Sequence, residues 1–221
     1  MTRTWLISGA IVLLLMPVIA VSLLAGRVWM PPAQVWHALW LPGPQLPALI
    51  VTELRLPRAV LALLIGAALG LSGAVLQGVT RNPLAEPGLL GVSSGAALGA
   101  VIAIYFGLAG ELAVAAPLFG LLGALAAGLL TFVLGRGGGT ITLILAGAAV
   151  SGLGAAGIAL ALNLAANPLA ANEIMTWLMG SLDDRSWLQV MLILPFVAIG
   201  SVMLALTARA LDALALGELQ A

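Results

Sequence analysis

The chain contains no cysteine and no lysine, a single histidine, a single tyrosine and few charges of either sign. Without cysteine there can be no disulfide, no thiol nucleophile and no thiolate metal site. One imidazole, His37, falls short of what a histidine-rich metal centre or a hydrolytic triad needs. All eight basic residues are arginines and eight acidic residues balance them, so no basic field exists to attract nucleic acid. Charged residues make up 7% of the 221, where an average soluble domain carries about 25%. What the chain has instead is 62% hydrophobic residues and a mean hydropathy of +1.20, which excludes a water-soluble domain and makes lipid the solvent.

Six apolar runs are long enough, or nearly so, for a hydrocarbon core that demands about 20 residues at 1.5 Å each. They cover about 5–25, 58–80, 88–106, 112–134, 141–165 and 188–208. The first competes with a signal-peptide reading, because Arg3 precedes it and small residues lie at Ala25-Gly26; its length favours a retained helix. Between the runs, prolines and tryptophans gather at 28–53, and Trp177 and Trp187 flank a polar stretch containing Glu173, Asp183 and Arg185. Such mixtures suit the membrane boundary, with short interfacial helices at about 32–39 and through Trp177. His37 lies there as an interfacial polar residue. The fold expected is all-α and polytopic. With an inside start, four arginines fall on each side, so charge does not orient the chain.

The stretch from Arg55 to Ala100 organises the rest. Arg55 and Arg58 stand three apart at a helix start, where both can lie on one face and extend from the membrane surface, and spacing alone favours their snorkelling to lipid head groups. Gly66, Gly70 and Ala74 then form a small-residue face suited to close helix packing, as do Gly91, Gly95 and Gly99. Gln77 lies deep near the far end of this helix, where a lone glutamine is more often interhelical glue than a substrate contact, and both readings stay open. Asn82-Pro83 breaks the helix, and Pro87 can open the next one at its first turn. The run Gly91-Val92-Ser93-Ser94-Gly95 copies a nucleophile-elbow pattern, but no strand precedes it and no histidine partners it. Arg136-Gly137-Gly138-Gly139-Thr140 lacks the Gly-Lys-Ser/Thr core of a phosphate loop, so a separate polypeptide must hydrolyse any nucleotide.

Arg55-Leu56-Pro57-Arg58, Gly66-Ala67-Ala68-Leu69, Ser72-Gly73-Ala74 with Gln77, and above all Asn82-Pro83-Leu84-Ala85-Glu86-Pro87-Gly88-Leu89-Leu90-Gly91 occur in this order. Leu145-Ala146-Gly147, Trp177 to Leu182 and Leu214 to Glu218 follow. This ordered set resembles the FecCD/vitamin-B12-type permease family, the membrane subunits of bacterial ABC importers for iron-siderophore complexes, haem or cobalamin. The resemblance implies an inner-membrane permease of ten transmembrane helices, six of them present here, so that the chain covers roughly the first two thirds of a permease as a fragment or truncated reading frame. It implies a homodimer or paired permease, cytoplasmic ATP-binding subunits, a periplasmic substrate-binding protein, no cofactor and no catalytic residue. It further implies that Arg55 and Arg58 dock the binding protein, and that Asn82 and Leu84 with Thr140 and Ile141 form a cytoplasmic gate of a pathway that Gln77 lines. The resemblance also implies that Leu216, Gly217 and Glu218 open the helices that couple to the ATPase. Other classes remain beside it: a secondary transporter, which would need mid-span ionisable groups, and a membrane scaffold without transport activity.

Overall fold

The computed structural model describes residues 2–26, 28–41, 43–165, 168–183 and 185–208. Among them all regular structure is helical: α1 (Thr2–Leu24), α2 (Pro32–Trp40), α3 (Leu46–Leu49), a π-helical segment (Ile50–Arg55) and α4 (Leu56–Thr80). A 3-10 turn (Pro87–Leu90) precedes α5 (Val92–Tyr105), and α6 (Leu108–Glu111), α7 (Ala115–Gly135), α8 (Gly139–Asn163), α9 (Pro168–Met179) and α10 (Trp187–Leu206) follow. Lipid offers no hydrogen bonds, so a spanning segment must satisfy its own backbone, and helices do that within one segment. Four helical stretches are long and apolar enough to cross: Leu46–Thr80, Ala115–Gly135, Gly139–Asn163 and Trp187–Leu206. Gly9–Leu24 and Val92–Tyr105 are shorter apolar helices.

Local chemistry explains where elements start and stop. Pro32 sits in the first turn of α2, where a missing N–H costs nothing. Pro17 and Pro195 lie inside α1 and α10, as transmembrane helices tolerate. Arg81 takes a left-handed φ of 50° just past α4, a conformation that ends helices, and Asn82-Pro83 prevents resumption. Pro87 opens only the 3-10 turn, because Gly91 then adopts a φ of 72° and α5 begins at Val92. The helix predicted from residue 88 is therefore shorter than its apolar run.

The helices gather into two compact units. One holds α1, α2, α3, the π segment, the amino-terminal part of α4, and α10. Its core is Leu23, Met30, Val35, Ala38, Ala48, Val51 and Ala59. The other holds the carboxy-terminal part of α4 and α5 to α9, around Ala100, Val101, Ala103, Ile104, Ala115, Ala116 and Ile174. In that second unit α5 is the buried helix, packed by α7 and α8, which is where a helix apolar on all sides belongs. Elsewhere large apolar side chains face outward, among them Leu13, Leu122, Leu129, Ile199 and Met203. A surface this apolar suits lipid and would aggregate in water.

Helix packing inside lipid depends on close approach more than on hydrophobic burial. The α5–α7 seam meets that need with glycine: a Cβ on Gly99 would run into the Phe119 carbonyl, and one on Gly123 into the Gly95 carbonyl. The small-residue face of α4 behaves differently. A Cβ on Gly66 or Gly70 would meet nothing within 4 Å, so among the described residues no neighbour covers the face expected to pack. Gly99→Ala should therefore destabilise the protein by about 1–3 kcal/mol through overpacking, whereas Gly66→Ala should stay within about 0.5 kcal/mol of the parent. Thermal unfolding of both variants in the same detergent checks this contrast.

Candidate functional site

The first group of site residues lies at the start of α4. The π-helical segment widens the backbone by one residue per turn just before Leu56, and such segments recur at functional sites. It delivers Arg55 inward. Only 9% exposed, its guanidinium donates from Nη1 to the Leu23 and Leu24 carbonyls at 2.7 and 2.8 Å, and from Nη2 to the Val28 carbonyl at 2.6 Å. α1 ends at Leu24, and the last carbonyls of a helix have no intrahelical donor. A planar fork of N–H groups can satisfy several of them at once, which an ammonium cannot match. Gly26 makes room: a Cβ there would lie 2.7 Å from Nη2.

Arg58, one turn on, has a different environment. Its Nη1 lies 2.8 Å from Oδ1 of Asp183, with the side chains 51% and 67% exposed. The expectation that both arginines reach out from the surface is met by Arg58 alone, because Arg55 is turned to the end of α1. Asp183 belongs to the loop before α10, which other contacts hold in place. Trp187 donates its indole N–H to the Thr52 carbonyl at 2.9 Å, and Ser186 donates from its backbone and hydroxyl to Oε1 of Gln189 at 2.8 and 2.9 Å.

The second group surrounds the turn after α4. Asn82 accepts the Leu84 N–H on Oδ1 at 3.0 Å, closing an Asx turn that holds the chain without helical bonding. Leu84 projects outward, 84% exposed. Gln77 donates to the Ala85 carbonyl at 3.3 Å, so it ties α4 to the turn. Gln77 also borders an open groove of about 400 Å³, with Gly70, Gly73 and Ala74 on one side and Ala85 and Glu86 on the other. Close by in sequence, the carbonyl of Leu90 accepts from buried Thr131 at 2.8 Å. Thr140 and Ile141 sit exposed in the first turn of α8. Leu216, Gly217 and Glu218 lie outside the described residues. No group of three or more histidine, aspartate or glutamate side chains that could hold a metal comes together among the described residues.

Sequence reasoning did not identify Asp183 as the partner of Arg58, nor Thr52, Thr131 and Trp187 as fastening groups. Each contact joins residues far apart in the chain, and no local pattern marks it. Arg55→Ala should cost about 2–4 kcal/mol, since three carbonyls then lose a charged donor, and Arg55→Lys should recover little of it. Unfolding midpoints check the loss. In this cysteine-free background, thiol labelling of buried Met30→Cys should also quicken when Arg55→Ala is added.

A profile of the FecCD transport family matches residues 13–221. The chain is 36% identical to the vitamin B12 import system permease protein of Klebsiella pneumoniae, over 100% of this chain and 63% of that protein. It is 38% identical to the ferric enterobactin transport system permease protein of Escherichia coli, over 98% of this chain and 65% of that protein. Among solved structures, one described as an inward-facing conformation of a metal-chelate type ABC transporter superposes with a TM-score of 0.77 at 34% identity, over 96% of this chain and 65% of that one. The chain thus spans less than two thirds of the length of each of these relatives. Sequence and fold agree along nearly all of it, and the chain belongs to the FecCD transport family.

Proposed function

We propose that this chain is a permease subunit of a binding-protein-dependent ABC importer that carries an iron-siderophore, haem or cobalamin type of chelate across the bacterial inner membrane. The observation that carries the reading is the match over residues 13–221 to the FecCD transport family, whose relatives here are named for vitamin B12 import and ferric enterobactin transport. The chain has no nucleotide-binding motif, so ATP hydrolysis belongs to a separate cytoplasmic subunit. Two permease copies, or two paired permeases, line the pathway between them. The permease performs no covalent chemistry; partners that bind the inward-open and outward-open states unequally drive the alternation.

Within that reading the two groups of residues take separate tasks. Arg58, exposed at the start of α4, meets a carboxylate of the periplasmic binding protein, and Arg55 holds the backbone that presents it. At the other end of α4, Asn82, Leu84 and Gln77 belong to the cytoplasmic gate and its approach, with Thr140 and Ile141 contributed by α8. The Asx turn and the open groove beside Gln77 support this, since irregular backbone at membrane depth is tolerated where it lines a cavity. Leu216, Gly217 and Glu218 engage the ATPase.

The test is transport. Right-side-out vesicles or proteoliposomes holding the permease and an ATP-binding subunit, with a chelate-binding protein outside, should accumulate ferric siderophore or cobalamin only when ATP is sealed inside. Arg58→Glu should weaken binding-protein capture by roughly 30-fold or more, as expected when one member of a docked charge pair is reversed. Uptake that persists without ATP, or capture indifferent to Arg58→Glu, would refute the assignment.

A further inference from the structure

The carboxylate that meets Arg58 in this structure comes from the chain itself. Asp183 lies 2.8 Å from the guanidinium, in the geometry an acidic side chain of a docking protein would adopt. The contact is not a chance meeting of two flexible side chains. Four residues after Asp183, Trp187 is bonded to the Thr52 carbonyl, and Thr52 lies six residues before Arg58. Two contacts therefore join the same loop to the same segment. Trp187 supplies a half-buried anchor, and the ion pair supplies an exposed contact beside it. Buried anchor and exposed pair differ in how readily they exchange. An exposed ion pair contributes little to stability and is screened by salt, so an incoming carboxylate can displace Asp183 while the Trp187 anchor stays closed.

We propose that Asp183 is a built-in competitor for the docking site of Arg58, occupying the guanidinium until an acidic side chain of a soluble protein partner takes its place. This inference rests on the docking reading of Arg58 and adds to it that the site is shielded at rest. Shielding has two consequences. The surface presents little net charge to anions in general, and only a partner that adds other contacts displaces Asp183. That is a means of selectivity built by competition.

The experiment uses the 221-residue chain in phosphatidylcholine nanodiscs at low ionic strength, which keeps anionic head groups out of the competition. The probe is a fluorescein-labelled tetraglutamate peptide followed by polarisation. Asp183→Asn, which is isosteric and leaves the Trp187 anchor intact, should bind the peptide roughly twofold to fivefold more tightly than the parent. The gain should vanish in the Arg58→Gln, Asp183→Asn double variant and in about 0.5 M salt. Unchanged unfolding midpoints show that the loop has kept its fold. If Arg58→Gln alone weakens binding while Asp183→Asn fails to tighten it, the competition is overturned and the docking role of Arg58 stands. A gain from Asp183→Asn that survives Arg58→Gln overturns both. Absence of peptide binding by Asp183→Asn also overturns the competition.

Discussion

A backbone carbonyl inside lipid has no water to turn to, so a donor from elsewhere in the chain is valuable wherever helical bonding lapses or loosens. The structure answers with side chains. Arg55 covers the carbonyls at the end of α1, Thr131 covers the end of the 3-10 turn at Leu90, Trp187 covers Thr52 in the π segment, and Tyr105 reaches the Leu164 carbonyl past the end of α8 at 3.1 Å. These bonds run between segments 31 to 135 residues apart in the chain. They satisfy carbonyls at helix ends and in the π segment and fasten segments together in the same act. Arg55 is the costliest of the four, because a buried cation must recover its hydration, and three carbonyls with Gly26 cleared away beside them are the means.

Between those ends the helices have little but shape to hold them. Hydrophobic side chains gain nothing by leaving lipid for a helix interface, so contact depends on how closely two backbones can come. The α5–α7 seam comes close enough that glycines face carbonyls directly. In contrast, a Cβ on the α4 glycines would meet nothing within 4 Å among the described residues, while α4 offers an arginine at one end and an Asx turn at the other. A helix of 25 residues spans about 37 Å, enough to put those two ends on opposite sides of a hydrocarbon core.

Much of this was legible from residues alone, because composition and run length express the solvent so directly. The all-helical polytopic fold follows from apolar runs that only helices can carry through lipid, and the ordered motifs around Asn82-Pro83-Leu84 pointed to the family. Helix ends were less legible. The Gly91 φ of 72° delayed α5 by several residues, and the π segment ahead of Leu56 left no periodic signal that six residues could register. Spacing put Arg55 and Arg58 on one face and treated them alike; their separation depends on the end of α1, some 30 residues earlier. The small-residue stripe of Gly91, Gly95 and Gly99 found a neighbour and, among the described residues, the stripe of Gly66 and Gly70 did not, a difference that the stripes themselves, being chemically alike, could not reveal. Asp183 looked like one more charge at a membrane boundary until the fold set it against Arg58.

The central proposal is that α4 joins a partner-docking end to a gating end across the bilayer. The most direct measurement is the sidedness of single cysteines placed at exposed Glu53 and Leu84, which flank the helix, using an impermeant maleimide on intact and on permeabilised spheroplasts. A cysteine at 53 should label in intact cells, and one at 84 only after permeabilisation. Labelling of both positions from the same side would contradict the claim.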